Sequence, residues 1–216
     1  MNLYKFHTNP EQLDGYENSL RVPMMAYEYG IQHGFTDELA SVIAKDPEWA
    51  YYYAEEVIKG RWPEAEPVIA TDPEWAYHYA RYVIEGRWPE AEPAIAKDHE
   101  WAAKYAMMVI RGRFPEGEPA IAKHPKSAFW YSEQILHGRW PEGEAAIAQD
   151  PEWAYEYAYY IIKGRFPEGE ATIAKNPQWA FFYAAEIIEG RFPEGEAAMS
   201  KDPHWASRYN DFLRNT

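Results

Sequence analysis

The chain has 216 residues, 47% of them hydrophobic, and a formal net charge of −14. It contains no cysteine, which excludes disulfides, thiolate metal sites and thiol catalysis. No apolar run reaches the roughly 18 residues of a membrane span, and the first residues lack the apolar core of a secretory signal. We therefore take a cytoplasmic protein as the default expectation.

The ends of the chain differ from its middle. We expect residues 1–22 to be irregular and to cover the first helical unit. Residues 23–44 look like a degenerate unit, in which Pro23 takes the place of a repeated proline and Gly34 ends a shortened helix. A capping helix is expected over residues 203–216, where polar residues replace apolar ones.

Between these ends, a repeat of 26 residues organises the chain. Tryptophan recurs at positions 49, 75, 101, 153, 179 and 205, and Ser127 interrupts the series. Glycine recurs at positions 60, 86, 112, 138, 164 and 190. Units this short cannot bury an apolar face alone, so the repeat predicts that neighbouring units stack.

Each unit carries the signals of one long and one short helix. Asp46 followed by Pro47 predicts an N-cap and a first helical residue. Gly60 lies where a helix of about 13 residues would end in a left-handed residue. Proline then predicts a second helix, α or 3₁₀, over residues 63–70, with two glutamates in its first turn.

These signals predict an all-α fold, an α-solenoid of about seven repeats that forms an elongated superhelix. Its handedness and curvature stay open at this point. Between the irregular N-terminal cap and the C-terminal helix, the units are expected near residues 23–46, 47–72, 73–98, 99–124, 125–150, 151–176 and 177–202.

The long helices have a constant and a variable side. Counted from each tryptophan, offsets 0, 1, 4, 5, 8 and 9 hardly change and span about half of the helix circumference. We interpret this side as the core between units rather than a cofactor site, because every unit repeats it. Offsets 3, 6, 7 and 10 vary on the opposite side.

The variable side carries a candidate partner-binding face, because large apolar residues on a polar surface often mark binding sites. Its members are Met107, Met108, Trp130, Tyr159, Tyr160 and Phe182. The alternative is structural. Trp130 follows Ser127 by one turn and would fill the space of the missing tryptophan, while the tyrosines would pack on neighbouring units.

The negative charge follows the repeat. Recurring Asp and Glu residues at caps and helix starts outnumber the recurring arginine of the Arg61 row and account for the net charge. We expect that row to pair with Glu64, Glu66 or carbonyls at helix ends. Nucleic-acid binding is disfavoured because no net basic stripe exists, whereas an acidic nucleic-acid mimic remains an alternative.

Signals for chemistry are absent from the sequence. It has no nucleophile–base signature, phosphate loop or dinucleotide fingerprint, and no two histidines share the i, i+4 spacing of a helical metal site. His124 lies at a cap position and His137 at a variable one, so both are expected on the solvated surface. We therefore predict no catalytic, cofactor-binding or metal-binding residue.

Gly-Arg-Trp-Pro-Glu-Ala-Glu-Pro at 60–67 and 86–93, joined to Asp-Pro-Glu-Trp-Ala-Tyr, resembles repeat arrays of uncharacterised phage and other viral proteins. The opening residues 3–16 are also similar to those proteins. This resemblance covers nearly the whole chain and implies no activity. More distantly, the helix order is similar to leucine-rich-variant repeats, which alternate α- and 3₁₀-helices, although this chain uses Trp and Tyr where that family uses aliphatic residues.

The sequence thus favours a non-catalytic repeat scaffold for protein–protein interaction, with a protein partner, no cofactor and no membrane. The resemblance to viral proteins implies a host or virion protein as that partner, and a location in the host cytoplasm or in a virion. A structural, self-associating component and the acidic mimic are the alternatives.

Overall fold

The computed structural model describes residues 10–215. Helices dominate this part of the chain, which contains no strand, and pairs of helices recur along it. The predicted all-α solenoid is therefore confirmed. The chain divides into two compact units, Met1–Ile95 and Ala96–Thr216, and both are built from the same helix pairs.

The first unit opens with three helices, which are α1 Pro10–Ser19, α2 Pro23–His33 and α3 Asp37–Ile43. The expectation of irregular chain over residues 1–22 is wrong for α1, while residues 1–9 lie outside the described part. Packing explains the difference, because a short helix is stabilised mainly by tertiary contacts. Tyr16 of α1 meets Tyr29 of α2 edge-on, with ring centroids 5.6 Å apart. Gly34, with φ 95°, follows α2 as predicted.

Each regular repeat has a long helix that begins as an α-helix and continues as a π-helix. The α-helical parts are α4 Pro47–Tyr52, α6 Pro73–Tyr79, α8 His99–Tyr105, α10 Pro125–Tyr131, α12 Pro151–Glu156 and α14 Pro177–Phe182. The π-helical parts are Tyr53–Ile58, Ala80–Ile84, Ala106–Ile110, Ser132–Leu136, Tyr157–Ile162 and Tyr183–Ile188. The sequence analysis did not predict the π turns.

The left-handed residue that ends each long helix is not the glycine. Lys59 has φ 59°, and the N–H groups of Lys59 and Gly60 both bond to the carbonyl oxygen of Ala54. The wider π turns therefore bring the left-handed conformation one residue early, and the prediction for Gly60 is wrong. A Cβ on Gly60 would meet no atom within 4 Å, so nothing in the structure explains that glycine. The left-handed positions are Lys59, Glu85, Arg111, His137, Lys163 and Glu189.

The short helices differ in length between repeats. They are α5 Glu66–Ile69, α7 Glu92–Ile95, α9 Glu118–Ile121, α11 Pro141–Ile147, α13 Pro167–Ile173 and α15 Pro193–Met199. The span predicted over residues 63–70 is too long for α5, because Pro67 has no backbone N–H to bond to an earlier carbonyl. Ala171 supplies that N–H, so α13 begins at its proline. The last helix, α16 Pro203–Asn215, lies where the capping helix is predicted.

Alanine and tyrosine rows form the core of each unit. Ala154, Ala158 and Tyr157 of the long helix are fully buried. Small alanines let helices approach closely. Gly169 brings α13 against its own long helix, since a Cβ there would lie 2.8 Å from the Cβ of Ala154. The tryptophan row, which the sequence places in the core, is only half-buried.

A polar link joins consecutive repeats at the start of each short helix. Arg139 donates from Nε and Nη2 to the two carboxylate oxygens of Glu144, at 2.8 and 2.9 Å. The hydroxyl of Tyr157, in the next long helix, accepts from the backbone N–H of Trp140 at 2.7 Å and donates to Glu144 at 3.0 Å. Similar links connect the tyrosines at 79, 131, 183 and 209 to the repeat before each.

The arginine row therefore pairs with the second glutamate of each repeat, which confirms the predicted pairing. The pairs are Arg61–Glu66, Arg87–Glu92, Arg113–Glu118, Arg139–Glu144, Arg165–Glu170 and Arg191–Glu196. Hydrogen bonds from the guanidinium hold the pKa of Glu144 below its ordinary value, as they do for the carboxyl groups at 66, 118, 170 and 196. Burial raises the pKa of Tyr157 to about 12, so its hydroxyl remains a donor at neutral pH.

Replacing Tyr157 by Phe tests the link. The substitution removes the acceptor of a buried N–H and a donor to Glu144, and an unsatisfied buried group costs about 1–3 kcal/mol. We expect the free energy of unfolding in urea to fall by about that amount. Tyr160→Phe is the matched control. Tyr160 is exposed, so we expect this variant to unfold at the same urea concentration as the parent protein. Equal losses in the two variants would contradict the assigned role.

The lowered carboxyl pKa values predict acid sensitivity. A folded-state pKa below the unfolded value gives stability that is complete above the unfolded value, about 4.3, and is lost as the pH falls further. We expect the urea midpoint to decrease between about pH 5 and pH 3, and to decrease less steeply in Glu144→Gln. Glu142→Gln removes an exposed carboxyl outside the pair and should keep the parent slope. If the urea midpoint of Glu144→Gln decreased with falling pH as steeply as that of the parent, Glu144 would not contribute to the acid sensitivity.

Candidate binding site

Aromatic rings stack at the interfaces between repeats of the second unit. The ring two residues after one tryptophan position packs on the tryptophan of the next repeat. Phe129 lies 5.4 Å from Trp153 between ring centroids, and Tyr155 lies 5.2 Å from Trp179. Such contacts add to the burial of both rings. The first unit has the same arrangement between Tyr51 and Trp75, 5.6 Å apart.

One interface lacks both rings. Ala103 stands where the other repeats carry Tyr or Phe, and Ser127 stands where they carry Trp. Both residues are buried, and both line a cavity of about 420 Å³. Trp130 lies at the edge of this cavity with 38% of its surface exposed, so it does not fill the space of the missing tryptophan.

Two histidines form part of the wall. The rings of His99 and His124 stack in parallel, with centroids 3.8 Å apart and an interplanar angle of 6°. His99 Nδ1 lies 2.9 Å from the hydroxyl oxygen of Ser127. Among residues 14–215, His124 Nδ1 is the one buried side-chain polar atom that lacks a hydrogen-bond partner. Burial, and then the neighbouring His99, lower the pKa of His124 and keep its ring neutral at neutral pH.

The expectation that His124 belongs to the solvated surface is therefore wrong. Its place at the cap suggested exposure, but packing against His99 half-buries it. His124 also forms no side-chain cap, whereas Asp150 accepts from two backbone N–H groups at the start of α12. His137 is exposed, as expected, and its Nδ1 lies 2.8 Å from the carbonyl oxygen of Glu133.

The remaining polar lining has an excess of positive charge. Lys104 pairs with Glu100 at 2.7 Å and places its ammonium 3.9 Å from the ring centre of Trp101. Lys126 is exposed and stands where most repeats carry Glu or Gln. Two lysines therefore face one glutamate around the cavity. None of the histidines, the lysines or Ala103 was predicted as a site residue. His99, His124, Lys126 and Ala103 each replace a recurring residue of the repeat, and Ser127 marked the place, whereas Lys104 stands at a variable position.

The candidate partner-binding face divides into two places. Met107 and Trp130 line the cavity, and Met108 is exposed on the same helix as Met107. Tyr159 and Tyr160 are both exposed and contact each other edge-on, with centroids 4.9 Å apart.

Phe182 belongs to an aromatic cluster rather than to open surface. It is half-buried, and its centroid lies 6.0 Å from that of Trp179, 5.6 Å from that of Trp205 and 6.1 Å from that of Tyr155. Tyr155 in turn stacks on Tyr159 at 6.0 Å. The cluster therefore supports the exposed tyrosines from beneath.

Carboxylates lie on and beside the helix that carries these tyrosines. Burial, followed by repulsion from Glu152, Glu133 and Glu186, raises the pKa of Glu156. Tyr155, which stacks on Tyr159, donates its hydroxyl to Glu186 at 2.5 Å. The exposed aromatic rings therefore lie on a helix whose neighbouring carboxylates repel one another.

The chain matches no protein-family model, no curated protein and no solved structure. Within the described residues, no three His, Asp or Glu side chains converge as a metal site requires. The helices of that same part of the chain also lack the combined length and apolar character needed to cross a membrane.

Restoring the missing cap should stabilise the interrupted repeat. Asn176 shows that asparagine can cap in this fold, because it accepts from the N–H groups of Gln178 and Trp179 at 3.0 and 3.2 Å. We expect His124→Asn to raise the free energy of unfolding by about 1 kcal/mol. Asp150→Ala is the reciprocal control and should lower it by about the same amount. Urea denaturation measures both, and a destabilised His124→Asn would show that the histidine stack outweighs a cap.

Proposed function

We propose that the protein is a non-catalytic repeat scaffold that binds a protein partner through the variable side of the long helices in its second unit. The observation that carries this proposal is the exposed pair Tyr159–Tyr160. Exposed aromatic residues grouped on a rigid element are typical of binding hot spots. The opposite side of the same helices is occupied by the stacking of repeats, so it is not free for a partner.

Charge indicates the kind of partner. Burial and three neighbouring carboxylates raise the pKa of Glu156. A cation placed nearby would relieve the repulsion among these carboxylates. Lys and Arg also pack favourably over tyrosine rings. We therefore propose that the docking segment of the partner is basic. A nucleic-acid mimic has less support, because arginine neutralises the second glutamate row.

The proposal is tested by affinity capture with matched variants. The tagged protein, Tyr159→Ser/Tyr160→Ser and Tyr82→Ser are compared as baits in lysate of the source cells. Tyr82 is the control because it is 48% exposed, close to the 51% of Tyr160, and occupies the equivalent helix position in the first unit. We expect one protein to bind the parent and Tyr82→Ser, and to be lost from the double variant by at least about tenfold.

Salt and charge provide the second readout on the captured protein. Its affinity should fall as salt rises and should fall several-fold in Glu156→Gln, because both weaken attraction to a basic segment. If all three baits retained the same protein, that protein would bind at a surface other than Tyr159 and Tyr160. Retention of the chain alone would favour self-association, which sedimentation would then measure.

A further inference from the structure

The cavity at Ala103 and Ser127 occupies the place of two rings. At the other interfaces within the second unit, the paired rings lie 5.2–5.5 Å apart between centroids. Here Ala103 and Ser127 remove both members of one pair, and neighbouring side chains leave about 420 Å³ open. A cavity of about 150 Å³ lined by apolar groups already holds benzene. The space is therefore large enough for a bicyclic ring.

The walls suit a flat aromatic molecule. The parallel rings of His99 and His124 form one side, and Trp130 and Met107 contribute an indole and a thioether. Aromatic rings pack favourably on other rings and on methionine sulfur. Other repeats carry a phenyl-type ring and an indole at these two positions, so the space suits an aromatic ring.

The polar groups select among such molecules. Glu100 is already paired with Lys104, so Lys126 is the cation of the lining that an anion would meet, in a chain that is strongly negative elsewhere. His124 keeps a buried nitrogen without a partner, and Ser127 adds a hydroxyl. A purely apolar ligand would use none of these groups.

We propose that this cavity binds a planar aromatic ring system of about the size of indole that carries a carboxylate. The ring lies between the His99–His124 stack and Trp130, and the carboxylate lies toward Lys126. Two sources can supply this chemistry, a small heteroaromatic acid or a tryptophan beside an acidic residue in a peptide. The site rests on the cavity alone and does not depend on partner binding at Tyr159 and Tyr160.

Calorimetric titration of the full chain tests the site with indole-3-acetate, tryptamine and a hexapeptide containing Trp-Asp. We expect saturable binding of indole-3-acetate, the peptide or both, and at least about tenfold weaker binding of tryptamine. Tyr159→Ser/Tyr160→Ser should bind the probes as the parent does. If the parent binds the probes but captures no partner from lysate, only the proposed function is overturned.

Refilling the cavity provides the decisive variant. Ala103→Phe/Ser127→Trp reproduces the pair formed by Phe129 and Trp153 and should abolish probe binding while raising the urea midpoint. Ser127→Leu, a smaller filling, guards against misfolding of the double variant and should weaken binding by at least about tenfold. Lys126→Glu should remove the preference for the acid over the amine.

The outcomes separate the two sources. Binding of indole-3-acetate as tight as that of the peptide identifies a small-molecule site, and binding of the peptide alone identifies a tryptophan side chain as the occupant. The proposal is overturned if neither probe saturates the parent by about 1 mM, or if the refilled variant binds as the parent does.

Discussion

The structure depends on a tyrosine hydroxyl that recurs between repeats, at positions 79, 131, 157, 183 and 209. Tyr157 is fully buried, and its oxygen accepts the N–H that precedes one short helix while donating to Glu144. Arg139 holds that carboxylate in place from the solvent side. Because every donor and acceptor in the link has a partner, the tyrosine fixes the distance between one repeat and the next. Ring stacking and alanine packing then operate within a spacing that this polar link sets.

The link also explains how a strongly acidic chain stacks its repeats. Burying a carboxylate without a partner would cost several kcal/mol. The guanidinium is exposed and the carboxylate largely covered, so Arg139 keeps its hydration while satisfying Glu144. Much of the other negative charge lies at caps, where Asp150 bonds to backbone N–H groups, and at exposed helix starts such as Glu142. Charge is therefore separated from the apolar core by position within each repeat.

Features that involve residues close together in the sequence could be predicted, whereas contacts between residues far apart in the sequence could not. The Asp46–Pro47 cap and the pairing of the arginine row involve residues within five positions, so short patterns reveal them. The hydrogen bond from Trp140 to Tyr157 spans 17 positions and leaves no pattern. The left-handed residue was predicted at Gly60 rather than at Lys59. The π turns that shift it depend on packing, which helical periodicity does not encode. Ser127 marked the interrupted interface, but whether neighbours would close around it depended on three-dimensional packing.

The interrupted interface keeps the link and loses only the rings. Tyr131 still accepts from the N–H of Phe114 at 2.9 Å and donates to Glu118 at 2.7 Å, so the hydrogen bonds that set the spacing of these two repeats are intact. Helices held at that spacing cannot collapse into the space vacated at Ala103 and Ser127, since collapse would break buried hydrogen bonds. The same link that joins other pairs of repeats therefore keeps this interface open. A repeat that lost its tyrosine link together with its rings would close, and it would have no cavity to offer a ligand.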